Sequence, residues 1–240
     1  MYTNNGHGSE KFPKMQSTKE HILAHLKRTG GSTVEGLAVQ FGLARMTVRQ
    51  HLAALERDGL VRSREERRPR GRPHLLFTLS EGGEERFPRR YERLADLALQ
   101  EVAFLDAEEI AGLDAVQKKR LLLEKMAQRV YRDHEAKVQG KTLPERVEVV
   151  TDILREEGGF AEWSRQGVAY EIADHNCAYR RVVDTHQDLC QWHLSLLGKL
   201  LGQEVGCTQF MSQGADSCRF VVTGDDAASN TVQTKGPADA

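Results

Sequence analysis

Three amphipathic segments, two of them opened by helix caps, are followed directly by an arginine-rich hairpin across residues 17–79, and that order leaves this stretch few ways to fold. In STKEHILAHL, Ser17 stands three residues before Glu20, the reciprocal capping pattern that starts a helix, and Ile22, Leu23 and Leu26 then fall on one face. STVEGLAVQFG repeats the arrangement, with Ser32 and Glu35 at its start and Leu37, Ala38 and Phe41 on its apolar side. Gly42 breaks this second helix. Val48, Leu52 and Leu55 recur at spacings of four and three residues, which predicts a third helix ending near Gly59. Its inner face holds it against the first two.

The residues left outward on the third helix are Arg45, Thr47, Arg49 and Gln50, with His51 near the edge. Arginine can bond guanine O6 and N7, glutamine can bond adenine N6 and N7, and threonine can reach a phosphate or a thymine methyl. A short strand at LVRS, the loop REERRPRGRP and a second strand at HLLFTL come next. Arg62, Arg64, Arg67, Arg68, Arg70 and Arg72 stand there against only Glu65 and Glu66, so Arg68, Arg70 and Arg72 crown a wing suited to phosphates or the minor groove. A charge run alone would read as a solvated loop. Helix, helix, turn, helix and basic hairpin in this order give a winged helix-turn-helix and name double-stranded DNA as the partner. The pattern TVRQHLAALERDGLV followed by GRP is also similar to bacterial winged-helix repressors of the arsenic-repressor and related classes.

A chain of 240 residues has room for two compact domains. Its 39% apolar and 29% charged residues fit a soluble globular protein, and no run of eighteen apolar residues is present to span a bilayer. The start, MYTNNGHGSEKFPKMQS, lacks the apolar core of a secretory signal, so the expected location is the cytoplasm, with no membrane partner. The net charge of −1 hides an asymmetry: residues 17–90 carry fifteen Lys or Arg against nine Asp or Glu, whereas residues 91–240 carry seventeen against twenty-five. The first segment favours a polyanion; the second does not.

Beyond the hairpin, Leu94, Ala98, Val102 and Leu105 form a stripe at helical spacing. Asp106 and Glu109 suggest another cap, and Val116, Leu123, Met126 and Val130 continue an apolar seam. Such seams serve as core or as dimer contact, and because operators are usually read by symmetric dimers a homodimer is expected. The fold class is α+β and mainly helical. It divides into a disordered start over 1–16, the winged helix-turn-helix DNA-binding domain over 17–90, a helical linker and dimerisation region over 91–140, an α+β sensor domain over 141–223 and a disordered tail over 224–240.

All four cysteines fall in that sensor domain. Cys177 follows a strand-like VAYEIAD, Cys190 lies in the helical DTHQDLCQWHLSLLGKLLG, and Cys207 and Cys218 lie on or beside a final hairpin. In a reducing compartment a cluster of thiols points to ligands or sensors more than to disulfides. Structural zinc uses close C-x2–4-C knuckles, which are lacking here; buried inert cysteine is the plain alternative. An iron–sulfur cluster accepts widely spaced thiolates, and a nitrogen ligand such as His175 or His193 can substitute. No Gly-rich phosphate loop, H-E-x-x-H or nucleophile elbow is present, so no enzyme is expected. A small-molecule effector stays open.

A winged helix joined to NCAYRRVVDTHQDLC, then LLGKLLG, then GADSCRF resembles the SufR family, the iron–sulfur-cluster-binding repressors of cluster-assembly operons. The resemblance spans residues 17–222. It implies a homodimer whose cluster, [4Fe-4S] or [2Fe-2S], is held by Cys177, Cys190 and Cys218, and whose loaded form binds the promoter and represses it. Cys207 departs from the family's usual position for a further cysteine, and is either a fourth ligand or a bystander.

Overall fold

The computed structural model describes residues 17–66 and 74–224. The chain divides into an N-terminal unit up to Pro88 and a C-terminal unit from Arg89 onward.

In the N-terminal unit, α1 (Thr18–Thr29) begins at the Ser17–Glu20 capping box and ends at Gly30 in the left-handed region. Helix α2 (Val34–Phe41) is capped by Thr33, whose hydroxyl accepts from the Gly36 amide, so the cap sits one residue beyond Ser32. Ser32 is used otherwise: its amide and carbonyl pair with the carbonyl and amide of Phe77, both at 2.9 Å, adding a short third rung to the wing. Gly42, with φ of 63°, closes α2 and turns the chain into α3 (Arg45–Arg57). Strands β1 (Val61–Glu66) and β2 (His74–Leu79) pair antiparallel with Val61 opposite Leu79. The one-turn helix α4 (Glu81–Glu84) follows.

The apolar residues that set the periodicity are those that fill the core. Ile22, Leu26, Leu37, Val48, Leu52 and Leu55 are all at most 1% exposed, with Val61, Phe77 and Leu79 closing the sheet side. Each such side chain contributes about 1.5–3 kcal/mol by leaving water. Lys27 is buried among them and reaches the carboxylate of Glu84, with its ammonium 5.3 Å from the centre of the Phe87 ring. A buried lysine persists only with such a partner.

In the C-terminal unit, α5 (Tyr91–Ala103), the short α6 (Ala107–Ile110), the long α7 (Ala115–Val138) and α8 (Leu143–Glu156) precede a four-stranded antiparallel sheet. Its strands β3 (Ala161–Gln166), β4 (Ala169–Asp174), β5 (Gly206–Gln209) and β6 (Cys218–Thr223) lie in the order β3-β4-β6-β5. Helices α9 (Arg180–Thr185) and α10 (Asp188–Leu201) connect β4 to β5. Asp106 and Glu109 form the expected capping box at α6.

One core joins the sheet to the helices other than the short α6. Leu94 and Leu97 of α5 and Met126 and Val130 of α7 pack with Val147, Val150, Ile172, Trp192, Leu197 and Phe220. The inward face of α5 is thus Leu94, Leu97 and Glu101 with Ala98 packed at its edge, a correction to the expected stripe at Val102. Val102 is 50% exposed and Val116 is 65% exposed. An acid replaces an apolar residue on the inner face because Glu101 is ion-paired with Arg129 of α7, whose guanidinium also lies 5.7 Å from the centre of the Phe104 ring. No helix among the described residues is long and apolar enough to cross a membrane.

Gly31 packs closely against the second strand of the wing. A Cβ there would stand 2.9 Å from the Thr78 methyl and 3.0 Å from the Phe77 carbonyl, and its φ of 151° disfavours any side chain. Gly31→Ala is expected to destabilise the N-terminal unit by about 1–3 kcal/mol. Both tryptophans, Trp163 and Trp192, lie in the C-terminal unit, so the urea transition followed by far-UV circular dichroism should shift to lower urea while the tryptophan fluorescence transition holds its place.

Candidate nucleic-acid interface and thiol centre

The face of α3 turned away from its core carries Arg45, Met46, Arg49 and Gln50, all exposed. Thr47 is only half-exposed, beside the buried Val48. Arg45 is paired with Glu35 of α2. Arg49 and Gln50 are therefore the two polar side chains of the predicted set that stand exposed on the helix surface without an ion pair of that kind. Met46 was not foreseen: at 62% exposure it stands one turn before Arg49 and Gln50, and offers a thymine methyl an apolar contact. Its signal in the sequence was its offset from Val48, which puts it off the buried stripe. Arg68, Arg70 and Arg72 lie outside the described residues.

In the C-terminal unit the four cysteines stand on four segments: Cys177 in the loop after β4, Cys190 in the first turn of α10, Cys207 in β5 and Cys218 at the start of β6. All four are free thiols and partly buried. They lie near enough to feel one another's charge: Cys190 acts to raise Cys177 and Cys207, and Cys177 and Cys207 act to raise Cys218.

The sheet register positions two of them. Cys218 is opposite Asp174 on β4, and Cys207 is opposite Phe220 on β6, with a bulge before Gln209. The chain from Phe210 to Ser217 then folds back over the thiols: the Met211 amide donates to Cys218 Sγ at 3.4 Å, and Ser212 Oγ lies 3.5 Å from Cys190 Sγ. Cys207 Sγ donates to the Gln209 carbonyl at 3.0 Å. Behind Cys177, Asp174 accepts from the amides of Phe160 at 2.7 Å and Asn176 at 3.0 Å, and Asn176 Nδ2 donates to the Gly158 carbonyl at 2.7 Å.

Burial sets the resting ionisation. Loss of water pushes Cys177 up to about 11 and Cys218 up to about 12, with the Asp174 carboxylate adding to both, and it raises Cys207 as well. Cys177 and Cys218 also line a cavity of about 70 Å³ with Asn176, Trp192, His193 and Phe220. Trp192 Nε1 is buried there without a hydrogen-bond partner. The His193 ring packs on Trp192 and Phe220, with centroids at 6.1 and 5.3 Å, and desolvation lowers its pKa to about 4, leaving a neutral imidazole at neutral pH. His175 is instead turned to Glu162, Nε2 to Oε1 at 3.3 Å. Among the described residues no three His, Cys, Asp or Glu side chains are grouped so as to hold a single metal ion.

Residues 15–62 match the family described as winged helix-turn-helix DNA-binding. The N-terminal unit contains a winged helix-turn-helix DNA-binding domain. The solved structure of Bacillus subtilis PadR in complex with operator DNA is similar to 77% of this chain and 97% of that one, at 13% identity and a TM-score of 0.26. No curated protein matches the chain.

For the DNA-binding domain, Arg49→Ala is expected to cost about 1–3 kcal/mol against a duplex selected with the wild-type chain, and to relax the preference at one base pair. Met46→Ala should weaken discrimination for thymine over cytosine at a neighbouring position, read by competition with single-base variants of the same duplex.

The thiols and His193 predict a two-sided pH profile for the metal-free chain. A buried thiol keeps its proton when the unfolded chain has lost it, so its contribution to stability is complete below about 8.5 and disappears as pH rises toward about 11 and 12. His193 works in the other direction: its contribution is complete above about 6.5 and is lost as pH falls toward about 4. Calorimetric Tm should therefore fall on both sides, with Cys218→Ala flattening the alkaline limb and His193→Phe the acid limb.

Proposed function

We propose that this chain is a non-enzymatic transcriptional repressor whose affinity for operator DNA is set by an iron–sulfur cluster on the four thiols, and that its targets are genes of cluster assembly. The observation that carries the reading is the convergence of four free thiols from four separate segments, with Cys218 registered opposite Asp174 beside the Cys177 loop and the Phe210–Ser217 segment bonded to Cys190 and Cys218. One tetrahedral ion with bonds of about 2.3 Å needs sulfurs roughly 3.8 Å apart. A cluster distributes its thiolates over several irons and accepts sulfurs set further apart than that.

The donor set fits such a group. Cys177, Cys190 and Cys218 would hold it, as the SufR resemblance implies, and the charge effects that link Cys207 to Cys190 and Cys218 make it the fourth thiolate in reach. Backbone hydrogen bonding from Met211 to Cys218 and from Tyr179 to Cys177 favours thiolate over thiol, against the desolvation that opposes it. When bound, the cluster supplies redox and oxygen sensitivity and a cationic core that draws the sulfurs together.

Reading an operator calls for two copies of the winged helix, since one covers few base pairs. Leu99, Val102 and Phe104 on α5 and its end are 70%, 50% and 67% exposed, and a second copy of the chain would cover them.

Anaerobic purification with visible absorption and iron, sulfide and zinc analysis tests the reading. A coloured protein with iron and sulfide is expected, and Cys177→Ser, Cys190→Ser and Cys218→Ser should each lower both and weaken operator binding. Unchanged iron in all three variants, or no iron after reconstitution with ferrous iron and sulfide, would leave four buried thiols beside a DNA-binding domain and sink the proposal.

A further inference from the structure

The first three residues of the C-terminal unit are each bonded to the segment that carries Cys177. Arg89 Nη1 donates to Asn176 Oδ1 at 2.7 Å and to the Cys177 carbonyl at 3.2 Å. The Arg90 amide donates to the Ala178 carbonyl at 3.0 Å. The Arg181 amide donates to the Tyr91 hydroxyl at 3.5 Å. Contacts from residues 89, 90 and 91 thus bracket one cysteine on both sides.

The anchor under this bracket is stiff. Asn176 is 1% exposed and is itself held by Gly158 and Asp174, and Asp174 by the Phe160 amide. Arg89 also follows Pro88, whose ring fixes one backbone dihedral and restricts the residue before it. A displacement of Arg89 therefore passes into the end of the DNA-binding unit through a dipeptide with little torsional slack. One guanidinium nitrogen, Nη1, serves both acceptors, and the rigid plane of the group fixes the direction from which it does so.

From this we infer that Arg89 is a positioning residue that ties the conformation of the Cys177 loop to the point where the chain leaves the DNA-binding unit; the inference rests on the reading of the thiols as the sensing site. Drawing Cys177 Sγ toward Cys190 and Cys218 moves a residue whose carbonyl Arg89 holds and whose successor holds Arg90. Those bonds must follow or break. Either response changes how residues 89–91 are held, and that difference is the coupling free energy between thiols and DNA.

A staple that merely stabilises the fold would affect loaded and metal-free chains alike; a coupling residue changes the ratio of their DNA affinities. The experiment compares full-length wild type, Arg89→Gln and Arg89→Lys, each metal-free and after anaerobic loading with ferrous iron and sulfide. Iron and sulfide content are measured with the Kd for a wild-type-selected duplex by fluorescence anisotropy. Wild type is expected to show a ratio of about fivefold or more between its two states. Arg89→Gln should load to the wild-type iron content while its ratio falls to about one, and Arg89→Lys, which keeps the charge on a shorter and more flexible stem, should fall between.

A wild-type ratio in Arg89→Gln overturns the inference and leaves the cluster reading standing. Loss of iron in Arg89→Gln equal to that in Cys177→Ser would also overturn it, by making Arg89 part of the thiol site. If wild type takes up no iron, the cluster reading fails by itself, and N-ethylmaleimide-treated against untreated chain supplies the two thiol states. In that comparison a collapse of the ratio in Arg89→Gln supports the tie. An unchanged ratio, or a wild-type affinity indifferent to thiol modification, removes it.

Discussion

The pairing of β6 with β4 in the register that sets Cys218 opposite Asp174 is the constraint on which the C-terminal unit depends. It brings the last cysteine of the chain beside the loop that carries the first. The Asp174 carboxylate then turns back to hold the amides of Phe160 and Asn176, which fixes the path of that loop. A slip of one residue would exchange the two faces of β6, turning Phe220 and Val222 out of the core and Cys218 away from Cys177. Apolar burial and the position of the thiols are thus decided by the same hydrogen-bond ladder.

Buried polar groups concentrate around this register, and Asp174, His175 and Asn176 each make a hydrogen bond that offsets the cost of burial. Asp174, His175 and Asn176 are all at most 5% exposed in succession, an arrangement that a plain core would exclude. Their bonds run to backbone groups of the turn at Gly158–Phe160, to Glu162 and to Arg89. The thiols differ: burial raises Cys177, Cys207 and Cys218 and so favours their protonated form. The same desolvation makes a group of thiolates unfavourable by itself and favourable around a cationic centre, so a site of this kind is strongly biased between an empty, neutral state and a loaded, ionised one.

Much of the N-terminal unit was legible because its signals are local. The Ser17–Glu20 box, the stop at Gly42 and the spacing of Val48, Leu52 and Leu55 each act within two turns of helix, and all appear where periodicity put them. The cap of α2 moved from Ser32 to Thr33 because Ser32 pairs with Phe77, forty-five residues away, a contact that propensity does not see. The inner face of α5 was misread for a similar reason: Glu101 points inward because Arg129 meets it there, and a charge on a buried face is visible only when its partner is known. Likewise Met46 is conspicuous only once α3 is docked and the outward side of the helix is known.

What the sequence by itself determined is the set of elements and their order: cap, stripe and glycine specify each helix, and alternation specifies each strand, because these depend on neighbours a few residues apart. It also placed one cysteine on each of four segments and arginine on the third helix of the winged helix-turn-helix. The tertiary structure alone decided that α5 and α7 share a core with the sheet, that the four thiol-bearing segments converge, and that Arg89 grips the loop of Cys177. Those are contacts between segments distant in the chain, set by sheet register and by which buried polar groups find partners, and neither is written in the spacing of residues along one segment.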